Sequence, residues 1–98
     1  MDITDRIAVI TGAGSGIGRA LAKRMIDRGA RHVVATDLDA ANAAETAAMI
    51  GDKVTGCALD VGDEAAIEAL VADVESNIGG IDIFVSNAGY GQSGGLEL

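Results

Sequence analysis

The chain has 98 residues, 49% of them hydrophobic, and contains no proline. This composition excludes a disordered tail or a fibrous repeat and predicts one small globular domain. The formal net charge of −8 arises after Lys53, where no basic residue follows, and an acidic surface repels the nucleic-acid backbone and anionic lipid. We therefore expect neither nucleic acid nor membrane as a partner.

Cysteine usage and the N-terminus point to the cytoplasm. Cys57 is the single cysteine and lies in an apolar stretch, which is typical of a small buried side chain and allows no disulfide within the chain. The N-terminus has no basic region leading into an apolar run, and no segment approaches the roughly 18 apolar residues of a membrane span. We also predict no metal site.

Short apolar runs alternate with segments of helical spacing, the pattern of a parallel sheet with crossover helices. We predict strands at Arg6–Thr11, His32–Thr36, Val54–Leu59 and Ile81–Ser86. Their apolar residues are mostly continuous, as in strands covered on both faces. His32, at the start of the second strand, lies on the edge of the sheet opposite the strand ends, and we assign it no catalytic role.

Three helices are predicted between these strands. The first is amphipathic and ends at Gly29, and the second begins after a capping Asp39 and ends near Ile50, before Gly51. The third has Asp63 and Glu64 in its first turn, Gly79-Gly80 at its end, and an apolar stripe formed by Ile67, Leu70, Val71, Val74 and Ile78.

A glycine-rich segment, "TGAGSGIG" from Thr11 to Gly18, joins the first strand to the first helix. This is a suitable place for a phosphate, because the first N–H groups of a helix lack partners within the helix. A nucleoside-triphosphate loop needs lysine after its last glycine, but Arg19 follows Gly18, and no glycine here begins a glycine-x-glycine-x-x-glycine motif. The segment matches Thr-Gly-x-x-x-Gly-x-Gly. A glycine loop with a purely structural role is the alternative.

This spacing, together with Asn87-Ala88-Gly89 after the fourth strand, resembles the short-chain dehydrogenase/reductase family. Asp37 and Asp60 at the ends of the second and third strands strengthen the resemblance. The resemblance implies an α/β fold, a Rossmann-like doubly wound parallel sheet with partial strand order 3-2-1-4. Residues 1–98 would then form a single partial NAD-binding domain.

The resemblance also assigns roles within the glycine loop. Gly12 permits the tight turn, Gly16 and Ile17 present their backbone to the cofactor pyrophosphate, and Gly18 allows the helix to pack closely. The Ser15 hydroxyl either contacts the cofactor or is solvated.

The residues after the second strand favour NAD over NADP. Asp37 would accept hydrogen bonds from the adenosine ribose of NAD, whereas a 2′-phosphate would meet a like charge costing about 1 to 4 kcal/mol at 4 Å. Leu38 offers no cation to offset it, and Ser15 occupies a position where NADP-binding relatives often have a basic residue. Arg19 is interpreted as a solvated surface charge.

The remaining implied cofactor residues follow the third and fourth strands. Asp60 resembles the acceptor for the adenine amino group, with the Val61 backbone beside it, although Asp60 could simply end the strand and approach a helix cap. Asn87 resembles an asparagine that ties neighbouring strands together, and Ala88 and Gly89 would line the cofactor ribose. Ser86 departs from the family, which often has asparagine there.

The family transfers hydride between a nicotinamide and a small alcohol or carbonyl substrate, using a serine and a Tyr-x-x-x-Lys pair. Tyr90 is the only tyrosine, the residue four later is Gly94, and no lysine follows Lys53, so we predict no catalytic residue in these 98 residues. We interpret the chain as a fragment or an incomplete gene product that is inactive alone. The alternative is a non-catalytic nucleotide-binding or self-assembling half-Rossmann module.

A sheet that stops at the fourth strand would leave that strand's edge unpaired and its apolar run, Ile83 to Val85, exposed. We therefore expect the isolated chain to self-associate into a homo-oligomer.

Overall fold

The structure is a computed structural model, and it describes residues 2–87. The predicted site residues Ala88 and Gly89, and Tyr90 after them, lie outside this range. Strands and helices alternate along the described chain: β1 (Ile7–Ile10), α1 (Gly16–Asp27), β2 (His32–Asp37), α2 (Ala40–Ile50), β3 (Val54–Ala58), α3 (Glu64–Asn77) and β4 (Ile83–Val85).

The four strands form one parallel sheet in the order β3-β2-β1-β4. Strand order reverses between β1 and β4, because β1 pairs with β2 on one side and with β4 on the other. All four carboxyl ends consequently lie at the same edge of the sheet, where open α/β sheets bind ligands. The predicted fold class and strand order are confirmed.

Both faces of the sheet are covered. Ala8 and Ile10 of β1 pack in a core cluster with Met25 of α1, while Ile7 and Val9 pack in a second cluster with Val74 of α3. Successive strand residues point to opposite faces, so each face receives every second apolar side chain. This explains why the strands read as continuous apolar runs.

The helix ends follow the predicted signals. The Asp39 carboxylate caps α2 as predicted and accepts hydrogen bonds from two N–H groups there. Asp63, predicted in the first turn of α3, is instead its N-cap and accepts one hydrogen bond. Gly29, Gly51 and Gly79 adopt positive φ values just beyond the three helices, a conformation that costs glycine little. In α3, only Val74 of the predicted stripe is fully buried.

No helix within residues 2–87 is long and apolar enough to cross a membrane.

β1, β3 and β4 are shorter than predicted, and β2 is one residue longer. The late start of β4 has a local cause. The Asp82 carboxylate accepts a hydrogen bond from the Ile7 N–H at 2.9 Å, and the Asp82 N–H donates to the Ile7 carbonyl at 2.9 Å. The Asp82 side chain thus replaces part of the backbone ladder between β1 and β4 at the start of both strands. Its Oδ1 also lies 3.6 Å from Arg6 Nη1. The β4 ladder therefore begins only at Ile83, which pairs with Ala8.

The side chains of His32 and Cys57 could take part in chemistry, and both are partly buried in the fold. His32 is the first residue of β2, at the edge opposite the strand ends as predicted, and its Nε2 lies 2.7 Å from Thr55 Oγ1. Partial burial lowers the pKa of His32 below its ordinary value. Cys57 is half-buried against the α3 side of the core, and burial, with a smaller contribution from Asp73, raises the pKa of its thiol.

Gly56 allows α2 to pack directly on β3, so we predict that Gly56→Ala destabilises the protein. A Cβ at Gly56 would lie 2.3 Å from the Ala43 carbonyl oxygen, a backbone atom that cannot move without shifting α2. We expect the free energy of unfolding, measured by urea denaturation, to fall by about 1–3 kcal/mol. Gly80→Ala is the matched control, because nothing lies within 4 Å of its added Cβ. Equal urea midpoints for the two variants would contradict this packing.

Candidate dinucleotide-binding site

The glycine loop turns sharply from β1 into α1. Gly12 and Gly16 have φ values of 65° and 55°, in the left-handed region that glycine tolerates best. Ser15 is the N-cap of α1, yet its side chain makes no capping hydrogen bond, and the first turn of α1 holds no acidic residue. Ser15, Gly16 and Ile17 are exposed, so the N-terminal N–H groups of α1 face open space that suits an anion.

Two other glycines in the loop are closely surrounded by neighbouring atoms. A Cβ at Gly18 would lie 2.1 Å from the Gly12 carbonyl oxygen, so Gly18 allows α1 to pack against the loop, much as the resemblance implies. A Cβ at Gly14 would lie 2.6 Å from Asp37 Oδ2 and 2.7 Å from Asn42 Cβ. The sequence motif leaves position 14 open to any residue, but in this structure an added side chain there would displace Asp37 or Asn42.

Asp37 lies directly beside the loop. It is the last residue of β2, and its Oδ2 accepts a hydrogen bond from the Gly14 N–H at 2.9 Å, while Oδ1 accepts one from the Asp39 N–H at 3.0 Å. A carboxylate oxygen can accept more than one hydrogen bond, so Asp37 retains capacity for ligand hydroxyls. Leu38 follows it and is 68% exposed.

Asn87 joins the end of β4 to the same loop. Its backbone N–H donates to Thr11 Oγ1 at 2.7 Å, and its side-chain Nδ2 donates to the Gly12 carbonyl at 3.3 Å. The Thr11 N–H donates in turn to the Val85 carbonyl at 2.9 Å. Asn87 therefore ties β4 to the β1–α1 connection, the structural role that the resemblance implies.

Asp60 and Val61 lie after β3, and Asp60 forms a local turn. Its Oδ1 accepts from the Gly62 N–H at 2.8 Å and its carbonyl accepts from the Asp63 N–H at 3.0 Å. The Leu59 N–H donates to the Asp37 carbonyl at 2.8 Å, which holds this turn beside the end of β2. Asp60 thus leads the chain into the α3 cap, and a contact with adenine stays a prediction.

Exposed apolar side chains also mark this edge of the sheet. Ile17 is 63% exposed, Leu38 68% and Val61 36%, although each carries a large aliphatic group. They lie at the start of α1 and in the β2–α2 and β3–α3 connections, and the family resemblance assigns each of them to the cofactor site. Aliphatic groups at the mouth of a cleft are suited to cover a nucleotide base or sugar.

The interpretation of Arg19 as a solvated charge is wrong. Its side chain is only 23% exposed, and its guanidinium donates to the Gly14 carbonyl, to Thr46 Oγ1 at 2.8 Å and to Glu45 Oε1 at 2.9 Å. A weaker contact reaches the Asn42 carbonyl at 3.4 Å. Arg19 therefore connects the glycine loop to α2.

Sequence reasoning also missed Thr46. This side chain is completely buried, and its hydroxyl donates to the Ala13 carbonyl at 2.7 Å. A signal existed, because Thr46 follows the buried Ala43 by three residues on the inner face of an alanine-rich helix. A hydroxyl on that face needs a partner.

Residues 2–87 contain no group of three or more acidic, histidine or cysteine side chains arranged to hold a metal ion.

Comparison with known proteins agrees with this geometry. The family model for short chain dehydrogenase matches residues 6–97. Galactitol 2-dehydrogenase of Agrobacterium fabrum is 43% identical over 88 residues, which cover 90% of this chain and 34% of that enzyme. The 3-oxoacyl-[acyl-carrier-protein] reductase FabG of Vibrio harveyi is 40% identical over 89 residues, covering 91% of this chain and 36% of the relative.

A solved structure shows the same arrangement. The 3-ketoacyl-(acyl-carrier-protein) reductase of Brucella melitensis, crystallised with NADH, superimposes with a TM-score of 0.78 at 41% identity, covering 84% of this chain and 34% of that one. The chain spans about a third of the length of these relatives. From the family model, the shared sequence and the shared fold together, we conclude that the chain belongs to the short-chain dehydrogenase family.

Proposed function

We propose that this chain is the NAD-binding portion of a short-chain oxidoreductase. The observation that carries the proposal is the hydrogen bond between the Gly14 N–H and Asp37, which places a carboxylate beside an open helix N-terminus. One dinucleotide can then use both features, with its pyrophosphate at the loop and its adenosine ribose at the carboxylate. The NADH present in the Brucella melitensis relative supports this proposal.

The predicted residues within 2–87 take different parts in the proposed site. Gly16 and Ile17 would bind the pyrophosphate through their N–H groups, and an added Cβ at Gly16 would meet nothing within 4 Å, so this surface is accessible. Ser15 lies at the same exposed turn. The adenine would lie between the second and third strand ends, bounded by Leu38, Asp60 and Val61, while Asn87 keeps the loop in position.

Charge favours NAD over NADP at this site. A 2′-phosphate on the adenosine ribose would approach the Asp37 carboxylate, and the repulsion costs about 1 kcal/mol at 4 Å even in water. Arg19 is the cation closest in sequence to the loop, but its guanidinium pairs with Glu45 and with backbone oxygen. It is therefore poorly placed to offset a second phosphate.

The proposed reaction is hydride transfer between NAD and an alcohol or carbonyl carbon of a small molecule. When bound, NAD supplies the hydride chemistry, and the residues of this chain bind and orient it. The 98 residues contain no Tyr-x-x-x-Lys pair to move the accompanying proton, since Gly94 follows Tyr90 by four positions. We therefore propose that these residues bind the dinucleotide without catalysing the reaction alone.

Titration of NADH and NADPH into the full chain tests this proposal. We expect NADH to bind more tightly than NADPH. Asp37→Asn should reduce the NADH-to-NADPH affinity ratio by at least about fivefold, because the variant removes the charge that repels the 2′-phosphate while keeping a similar shape. Asp52→Asn is the matched control, since it removes the same charge from an exposed residue after α2, at the opposite edge of the sheet. Equal affinity for both nucleotides, or a ratio unchanged by Asp37→Asn, would contradict the proposal.

We further propose that the isolated chain self-associates through β4. Within residues 2–87, β4 pairs with β1 and forms one edge of the sheet, and its Phe84 is 42% exposed. An unpaired strand edge beside an exposed aromatic side chain is a surface that a second copy can cover.

Sedimentation velocity over a range of concentrations tests this self-association. We expect the sedimentation coefficient to rise with concentration, and Phe84→Glu to shift the onset to a concentration at least about tenfold higher, because a carboxylate is costly to bury at an interface. Met49→Glu, on the exposed side of α2, is the control and should leave the onset unchanged. A chain that stays monomeric at all concentrations would rule out the proposal.

A further inference from the structure

The glycine loop is contacted by side chains inside and outside the family motif. Three consecutive carbonyls of the loop accept hydrogen bonds from side chains: Gly12 from Asn87, Ala13 from Thr46, and Gly14 from Arg19. A backbone carbonyl carries partial negative charge, so a loop that receives a phosphate must hold its carbonyls elsewhere and leave N–H groups for the anion. Thr46 and Arg19 supply two of the three donors.

We propose that Arg19 is a positioning residue of the phosphate loop, acting together with Thr46 and without touching the dinucleotide. This inference rests on the proposed NAD-binding function and names how that site is preorganised. Gly14 is held from both sides, because its N–H donates to Asp37 at 2.9 Å and its carbonyl accepts from Arg19. Arg19 holds the Gly14–Ser15 peptide directly, through the Gly14 carbonyl, and supports the Ala13–Gly14 peptide through Thr46. The N–H of that second peptide donates to Asp37, so losing the Arg19 contacts loosens both peptides and the contact with Asp37.

The guanidinium is suited to this task because its donors are fixed in one plane. Arg19 Nε donates to Thr46 Oγ1 at 2.8 Å while Nη2 reaches the Gly14 carbonyl and Glu45 Oε1. The Thr46 hydroxyl accepts from Arg19 and donates its own proton to the Ala13 carbonyl at 2.7 Å. Arg19 thereby also orients the hydroxyl that holds the preceding carbonyl.

Lysine cannot reproduce this pattern. Its single ammonium group keeps the positive charge but lacks the separate Nε and Nη2 donors that reach Thr46 and Gly14 together. Arg19→Lys therefore separates the geometry of the guanidinium from its charge. If charge near the loop were all that mattered, the lysine variant would behave like the wild type.

The test combines NADH titration with amide hydrogen exchange, followed by NMR on the full chain. For Arg19→Lys we expect the Kd for NADH to rise about tenfold and the exchange of the Gly14 amide to accelerate about tenfold, the effect of losing a hydrogen bond to a charged group. The Val34 amide, in the buried β2 strand, should change by less than about twofold. Arg24→Lys, the same substitution at an exposed position of α1, should match the wild type in all three measurements.

A second variant keeps the inference testable if Arg19→Lys folds poorly. Thr46→Val preserves the buried volume but removes both hydroxyl contacts, so it should also weaken NADH binding and accelerate exchange at Gly14. Unchanged NADH affinity and Gly14 exchange in either folded variant would overturn the inference. An equal acceleration of amide exchange at Gly14 and at Val34 would also overturn the inference, because equal acceleration indicates a general loss of stability.

Failure of the proposed function gives a different result. If the wild-type chain binds no NADH, the proposed function fails, and the exchange of the Gly14 amide alone then decides whether Arg19 holds the loop. If the wild type binds NADH and Arg19→Lys binds it equally well, the proposed function stands and the positioning role of Arg19 fails.

Discussion

The glycine loop keeps its shape because its carbonyl oxygens are held by the rest of the protein. Asn87 after β4, Thr46 on α2 and Arg19 on α1 each donate to one of three successive carbonyls. These donors come from three elements that are separate in sequence, so the loop has this shape only once the sheet and both helices have assembled. The candidate site is therefore a property of the tertiary fold, and glycine content alone does not create it.

The parallel sheet brings the remaining parts of the site together. Because all four strands run in the same direction, their carboxyl ends share one edge, and Asp37 and Asn87 reach the loop from either side of β1. Close backbone packing supports this arrangement, since Gly56 lets α2 approach β3 and Gly18 lets α1 approach the loop. The positions of the helices thus depend on places where the chain carries no side chain at all.

The sequence predicts the parts of this structure that depend on local patterns. Apolar spacing predicts four strands and three helices, Asp39 predicts where α2 begins, Asp63 and Glu64 indicate the start of α3, and the glycine spacing indicates the family. The role of Arg19 could not be read in this way, because its partner Thr46 lies 27 residues further along the chain. The crowding around Gly14 likewise becomes visible only when the side chains of Asp37 and Asn42 are placed beside it. The late start of β4 at Ile83 depends on the hydrogen bond between the Asp82 side chain and the Ile7 N–H, which no periodicity indicates.

The central claim is that one dinucleotide spans the strand ends of this sheet. The most direct measurement is NMR mapping of backbone amide shifts during titration of the full chain with NADH. The account predicts saturable shifts with one common Kd at Gly16, Ile17, Asp37, Val61 and Asn87, and no shift at Gly29, Gly51 or Gly80 at the opposite edge. Shifts centred on the opposite edge, or the absence of any saturable shift at the loop, would contradict it.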